Sequence, residues 1–259
     1  RQERQPYEAV PGEVERVYRQ QLARLEQSVE AGARGTLEAL REAGQAFQGI
    51  RVVDGPRKPV VAVVGEIFMR DNPSCSGFLR QRLEALGAET HMGPITEWIE
   101  LCTMRYVQES GWRREPLHWV QAVIQEYFQA RIAEGFERAM RDEIEAERAV
   151  AVERILEACA PYIHRDYVGD PPLALGLAAA LAGTGISGVA AILPFTCLPG
   201  TIVASLSSAF RQDHDELPWV DIAFDGQDDT GIEIRLQAFV HQAREYCRRR
   251  GYDQPRHWS

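Results

Sequence analysis

The chain has 259 residues, 45% of them hydrophobic and 26% charged, enough to bury a sizeable core as one large domain with or without a helical appendage. A formal net charge of −9 and a pI near 5.3 argue against the basic face that nucleic-acid binding needs. No stretch reaches the roughly 18–20 apolar residues of a membrane span, and the most apolar run, residues 172–195, is broken by Gly176, Gly183, Gly185 and Gly188.

In chain order, residues 7–48 read as helical. Val14, Val17, Leu22, Leu25, Val29, Leu37, Leu40 and Phe47 recur every three to four positions or so among charged and amide residues, and Gly32 and Gly35 divide the stretch in two. Asp54-Gly55-Pro56 is turn chemistry and sets a boundary. The expectation is therefore an N-terminal helical segment over 1–54 and an α/β domain over 55–259, with a helical insertion at about 95–165. The β-branched run from Pro59 to Phe68 has the composition of a parallel strand buried on both faces. Asn72 or Ser74 then caps an amphipathic helix over 76–87, closed by Gly87, and 88–92 forms a second strand, completing a βαβ unit.

Residues 95–110 and 114–158 read as mostly helical, and a helix over 173–181 follows Pro171-Pro172. A third strand over 189–195 leads to a helix starting near Pro199, a position that suits a residue without an N–H. A fourth strand over 219–224 runs into Asp225-Gly226-Gln227, and a last helix spans about 229–249 from an acidic cap. The arginines near the C-terminus, Arg244, Arg248, Arg249, Arg250 and Arg256, read as a solvated helix end favoured by the dipole. Alternating elements of this kind imply a flavodoxin-like parallel sheet of about four strands with helices on both faces.

Ligands of such a sheet bind outside the carboxyl ends of its strands. Four loops qualify: 69–75, 93–97, 196–201 and 225–229. Cys75 and Cys197 are expected on this edge, each at the start of a helix, where a thiolate is favoured as nucleophile or metal ligand. Five cysteines without a secretory pattern fit thiols in a reducing, cytoplasmic compartment, and no close cysteine pair supports a self-contained zinc knuckle. Cys102, Cys159 and Cys247 read as small buried hydrophobes. The chain starts with Arg and lacks a signal-peptide pattern, so it is expected to be a processed form or a piece of something longer. Glu66 and Arg70 end the first strand and open its loop, where a charge must be paired or face the ligand cleft. His91 sits at a strand end near the same edge and reads first as structural. No GxGxxG follows the first strand, and no Walker A or GxSxG sequence occurs.

Four stretches together resemble one family: Val64-Gly65-Glu66-Ile67-Phe68-Met69-Arg70-Asp71-Asn72-Pro73, Pro94-Ile95-Thr96-Glu97-Trp98-Ile99, Leu193-Pro194-Phe195-Thr196-Cys197-Leu198-Pro199-Gly200-Thr201-Ile202-Val203 and Phe224-Asp225-Gly226-Gln227. The chain is similar in these to the 2-hydroxyacyl-CoA dehydratase group, in particular its CoA-substrate-specific enzyme activase-related and double-cubane cluster members. The resemblance implies an iron–sulfur cluster of the 4Fe-4S type held between two α/β domains by cysteines from both. It also implies an ATP-hydrolysing activator that injects one electron, passed on to an acyl-CoA thioester to make a ketyl radical that loses water. Cys197 matches the cysteine of the PFTCxPG segment and is carried over as a cluster ligand, with Pro199, Gly200 and Thr201 beside it as cofactor-binding positions. Cys75 joins the metal set by position alone, and Glu66 and Arg70 are the candidate catalytic residues. The chain departs from the family in holding one such unit, and thiolate clusters usually need three or four ligands. A third ligand is then expected from Cys102, from His91, or from a second cysteine-bearing α/β domain or subunit. The competing readings are a non-catalytic structural or interaction domain of the same fold, and an electron-relay module whose catalysis lies on another chain. No nucleic-acid or membrane partner is expected.

Overall fold

The computed structural model describes residues 1–33, 35–140, 150–226 and 231–255. The chain folds as two compact units, one of residues 1–53 and 99–148, the other of residues 54–98 and 149–259.

The first unit is helical. Helices α1 (Glu13–Glu30) and α2 (Thr36–Gln48) pack together, and α2 also packs on the long helix α6 (Pro116–Met140). Val14 and Val17 of α1 form a small core with Ile50, and the chain entering α1 pairs Glu8 with Val52 in an isolated antiparallel bridge. The division at Gly32 and Gly35 holds, because both take a positive φ that a side chain resists. Helix α5 (Thr96–Trp112) begins in the second unit and continues into the first.

The second unit holds the α/β sheet, while residues 99–148 of the expected insertion group with the N-terminal helices in the first. Strands β1 (Val60–Gly65), β2 (Glu89–Met92), β3 (Ile186–Pro194) and β4 (Trp219–Phe224) form an all-parallel sheet in the order β2-β1-β3-β4. This is a flavodoxin-like arrangement with helices on both faces. β1 and β3 are central and covered on both sides, which is why their sequences run apolar without alternation. On one face, α3 (Ile67–Asp71), α4 (Leu79–Ala85) and α10 (Ile232–Arg250) supply Met69, Leu79, Leu83, Leu236, Phe239 and Val240 against Val61, Val63, Ala190, Ile192 and Ile222. On the other, α8 (Pro171–Leu181) packs on β1 and β3 between α7 (Val152–Cys159) and α9 (Leu198–Asp213). The α7–α8 approach is close enough that a Cβ on Gly176 would overlap the Ile155 carbonyl. The arginines at the end of α10 are engaged: Arg250 pairs with Asp215, Arg248 with Glu245, and Arg244 donates to the Leu86 carbonyl. Arg256 lies outside the described residues.

Several boundaries differ from expectation. β1 stops at Gly65 rather than running to Phe68, because Gly65 takes φ +118° and Glu66 at once caps the short α3. Helix α4 starts at Leu79, so Cys75 is not at a helix start but in the turns before it. β3 begins three residues early, at Ile186, and α9 begins at Leu198. The acidic cap expected at residue 229 and Gln227 lie outside the described residues. Among the described residues, no helix is long and apolar enough to cross a membrane.

Candidate functional site

With this strand order the crossovers leave β1 and β3 in opposite directions, so the topological switch point lies between their carboxyl ends. The loops carrying Cys75 and Cys197 flank it. In the loop after β1, the Glu66 carboxylate accepts from the backbone N–H groups of Phe68 (3.2 Å) and Met69 (2.8 Å). Glu66 is thus a helix cap, and its own N–H donates to the Ile192 carbonyl at 3.0 Å, tying the β1 turn to β3. Asn72 Oδ1 accepts from the N–H groups of Ser74 and Cys75 at 3.1 and 3.2 Å, an Asx turn that fixes the Cys75 backbone while leaving its thiol exposed. The turn then crosses toward β4, where Gly77 lies against the Phe224 ring.

The loop after β3 is held as firmly. Thr196 takes φ +63°, a left-handed conformation rare for a β-branched residue. Cys197 follows as the N-cap of α9, its N–H bonded to the Pro194 carbonyl at 3.1 Å. Its carbonyl accepts both the Thr201 N–H (2.9 Å) and the Thr201 hydroxyl (2.8 Å). Pro199 sits in the first helical turn, and a Cβ on Gly200 would come within 2.5 Å of the Leu193 Cβ. These three residues build the turn that presents Cys197. Its half-buried thiol is free, as is that of Cys75.

Arg70 points inward, with 4% of its side chain exposed. Its Nη1 lies 3.9 Å from Glu97 Oε2, on a carboxylate that is equally buried and folded over Gly93, where a Cβ would overlap it. Its Nε is 3.9 Å from Asp71. Asp170, at the N-terminus of α8, closes the group by accepting from the Trp98 indole N–H and the Ile67 backbone N–H. Burial, then the charge of Glu66, holds the Asp170 carboxyl above the usual carboxylate range, against the pull of those donors and of Arg70. Burial likewise raises Asp71, opposed by Arg70. Gly169 lies against Pro199, so the α8 start adjoins the turn that carries Cys197.

No family model matches the chain, and no curated protein or solved structure matches it. What the site can do therefore rests on its own geometry.

The structure brings Cys75, Cys197, Glu66, Arg70, Pro199, Gly200 and Thr201 to one edge of one sheet. Cys159 and Cys247 are buried in helices as expected, the former with its thiol on the Leu156 carbonyl. Cys102 departs from expectation, being exposed on α5. His91 sits within β2, paired in register with Ala62. Sequence reasoning gave no role to Glu97, Trp98 or Asp170. Their signals were an acidic residue and a tryptophan in the first turn of α5, and an aspartate directly before Pro171-Pro172. The edge is also unusually apolar: Phe68, Phe195, Leu198 and Val168 are 63, 64, 68 and 87% exposed, and Ile95 and Phe78 join them. Single exposed apolar residues are ordinary, whereas such a group around one loop cluster marks a surface to be covered.

Proposed function

We propose that this chain contributes the cysteine-bearing half of an iron–sulfur site, serving low-potential electron transfer in a 2-hydroxyacyl-CoA dehydratase- or activase-like system of the cytoplasm. The observation that carries this reading is the pair of free thiols, Cys75 and Cys197, flanking the switch point within a rim of exposed apolar side chains. Among the described residues, no three His, Cys, Asp or Glu side chains are grouped to hold a metal ion. Two thiolates fall short of the three or four that a cluster needs, so the donor set of this edge does not fit a complete cluster by itself. The half-site reading assigns the missing ligands to a second cysteine-bearing α/β domain or subunit seated on the apolar rim. An ATP-hydrolysing activator is the electron source in the same reading, and an acyl-CoA-type thioester the acceptor.

This chain's own residues have defined parts in that proposal. Cys197 and Cys75 donate thiolate ligands; the Thr196–Thr201 turn and the Asn72 turn hold their backbones still. Glu66 and Arg70 fix the β1 turn and the α5 start around them. Burial and the Glu66 charge raise the Asp170 pKa, so of its two forms the protonated one is favoured relative to a free carboxyl. Anaerobic loading with iron and sulfide, with small thiols present to fill the open coordination positions, tests the reading. Iron bound by the chain and lost in Cys197→Ser supports it. Iron content that is the same with and without Cys197 overturns it in favour of a fold without a cluster.

A further inference from the structure

Helix α6 has 25 residues, about 37 Å of helix, and carries one apolar side along its length. In the C-terminal half that side is used within its unit, where Ala139 is buried and Gly135 faces Leu37 of α2. In the N-terminal half the same side exposes Leu117 (84%), Val120, Ile124, Tyr127 (61%) and Phe128. An apolar stripe on a helix is ordinarily buried against another element. The first four of these residues follow one another at spacings of three, four and three, the a and d pattern of a helix–helix seam, and Phe128 widens it.

We propose that this stripe is the contact between two copies of the chain, packed antiparallel about a two-fold axis level with Ala122. The axis sets Leu117 of each copy opposite Tyr127 of the other, and Val120 opposite Ile124, so every contact occurs twice, as an isologous interface requires. The charges allow a second copy. From Pro116 to Phe128 the helix carries one Asp, Glu, Lys or Arg, Glu126, and it lies about 150° round from the middle of the stripe at 3.6 residues per turn. Over these residues two copies therefore meet without like charges across the seam. The exposed parts of the five side chains come to roughly 600 Å² per copy, about 1,200 Å² for the pair, the lower edge of specific interfaces. A reversible dimer with a dissociation constant on the order of micromolar follows.

Sedimentation of the whole chain across about 1–100 μM tests this. The expected result is a monomer–dimer equilibrium, weakened at least tenfold or so by Ile124→Glu and by Leu117→Glu, each with the wild-type far-ultraviolet circular dichroism. Glu126→Gln, on the far side of the helix, and Val168→Asp, on the sheet edge, leave the equilibrium unchanged. A monomer at every concentration overturns the proposal. So does a dimer that survives both glutamate substitutions, or one lost in Val168→Asp alone, which places the contact on the sheet edge.

Discussion

Replacing Gly65 by alanine tests whether the turn between β1 and α3 is what fixes the candidate site. Gly65 pairs with Ile192 of β3 and has φ +118°. A methyl group there would overlap the Ile192 carbonyl oxygen and stand 2.8 Å from its nitrogen, both backbone atoms that cannot swing aside. The left-handed backbone costs an alanine about 1–2 kcal/mol. Relieving the overlap by parting the strands adds about 1–3 kcal/mol. Losing the Glu66 N–H to Ile192 carbonyl bond adds about 1 kcal/mol. The expected loss is about 3–6 kcal/mol, against about 1–2 kcal/mol for Gly183→Ala in the same unit. Gly183 has φ +84° and nothing within 4 Å of where a methyl group would stand, so it isolates the backbone cost from the overlap. Urea unfolding followed by circular dichroism measures both. Equal losses at the two positions would refute the claim that backbone contact with β3 is the reason for glycine at 65.

Three further outcomes follow from the same edge. Arg70→Met leaves the buried Glu97 carboxylate without its guanidinium and should cost about 3 kcal/mol or more, much of it recovered in the Arg70→Met/Glu97→Gln double variant, measured by urea unfolding. Because folding raises the Asp170 pKa, the native chain holds more protons than the unfolded one between the two values. Its contribution to stability is full below the ordinary carboxylate pKa of about 3.9 and is lost as pH rises through the folded value. Asp170→Asn should therefore be more stable than wild type at pH about 7.5, with the advantage gone near pH about 3.5; an advantage independent of pH would contradict the assignment. Gly200→Val should push the first turn of α9 off Leu193 and, without unfolding the sheet, change the alkylation rate of Cys197 while sparing that of Cys75, read by mass spectrometry.

Much of the fold was legible because its signals are local. Continuous β-branched runs at β1 and β3, turn residues between elements and the glycine breaks at Gly32 and Gly35 each act within a few residues. The end of β1 was not legible: Ile67 and Phe68 prolong the apolar run, and Glu66 is not among the residues that usually cap helices. The late start of α4 is set by Ser76 bonding back to the Asn72 and Pro73 carbonyls and by a left-handed Phe78, neither of which has a strong sequence signal. The thiols of the candidate site could be placed on the right edge because strand ends place loops. The Arg70–Glu97 pair and the Trp98–Asp170 contact could not, since they join segments far apart in sequence that only the closed sheet brings together.

The central claim is that Cys197 and Cys75 act together as metal ligands, and site-resolved alkylation tests it most directly. Each cysteine's labelling would be followed by mass spectrometry before and after anaerobic loading with iron and sulfide. The account predicts that Cys197 and Cys75 become protected together, while the exposed Cys102 goes on reacting. Cys197 labelling at an unchanged rate in the loaded protein would contradict it.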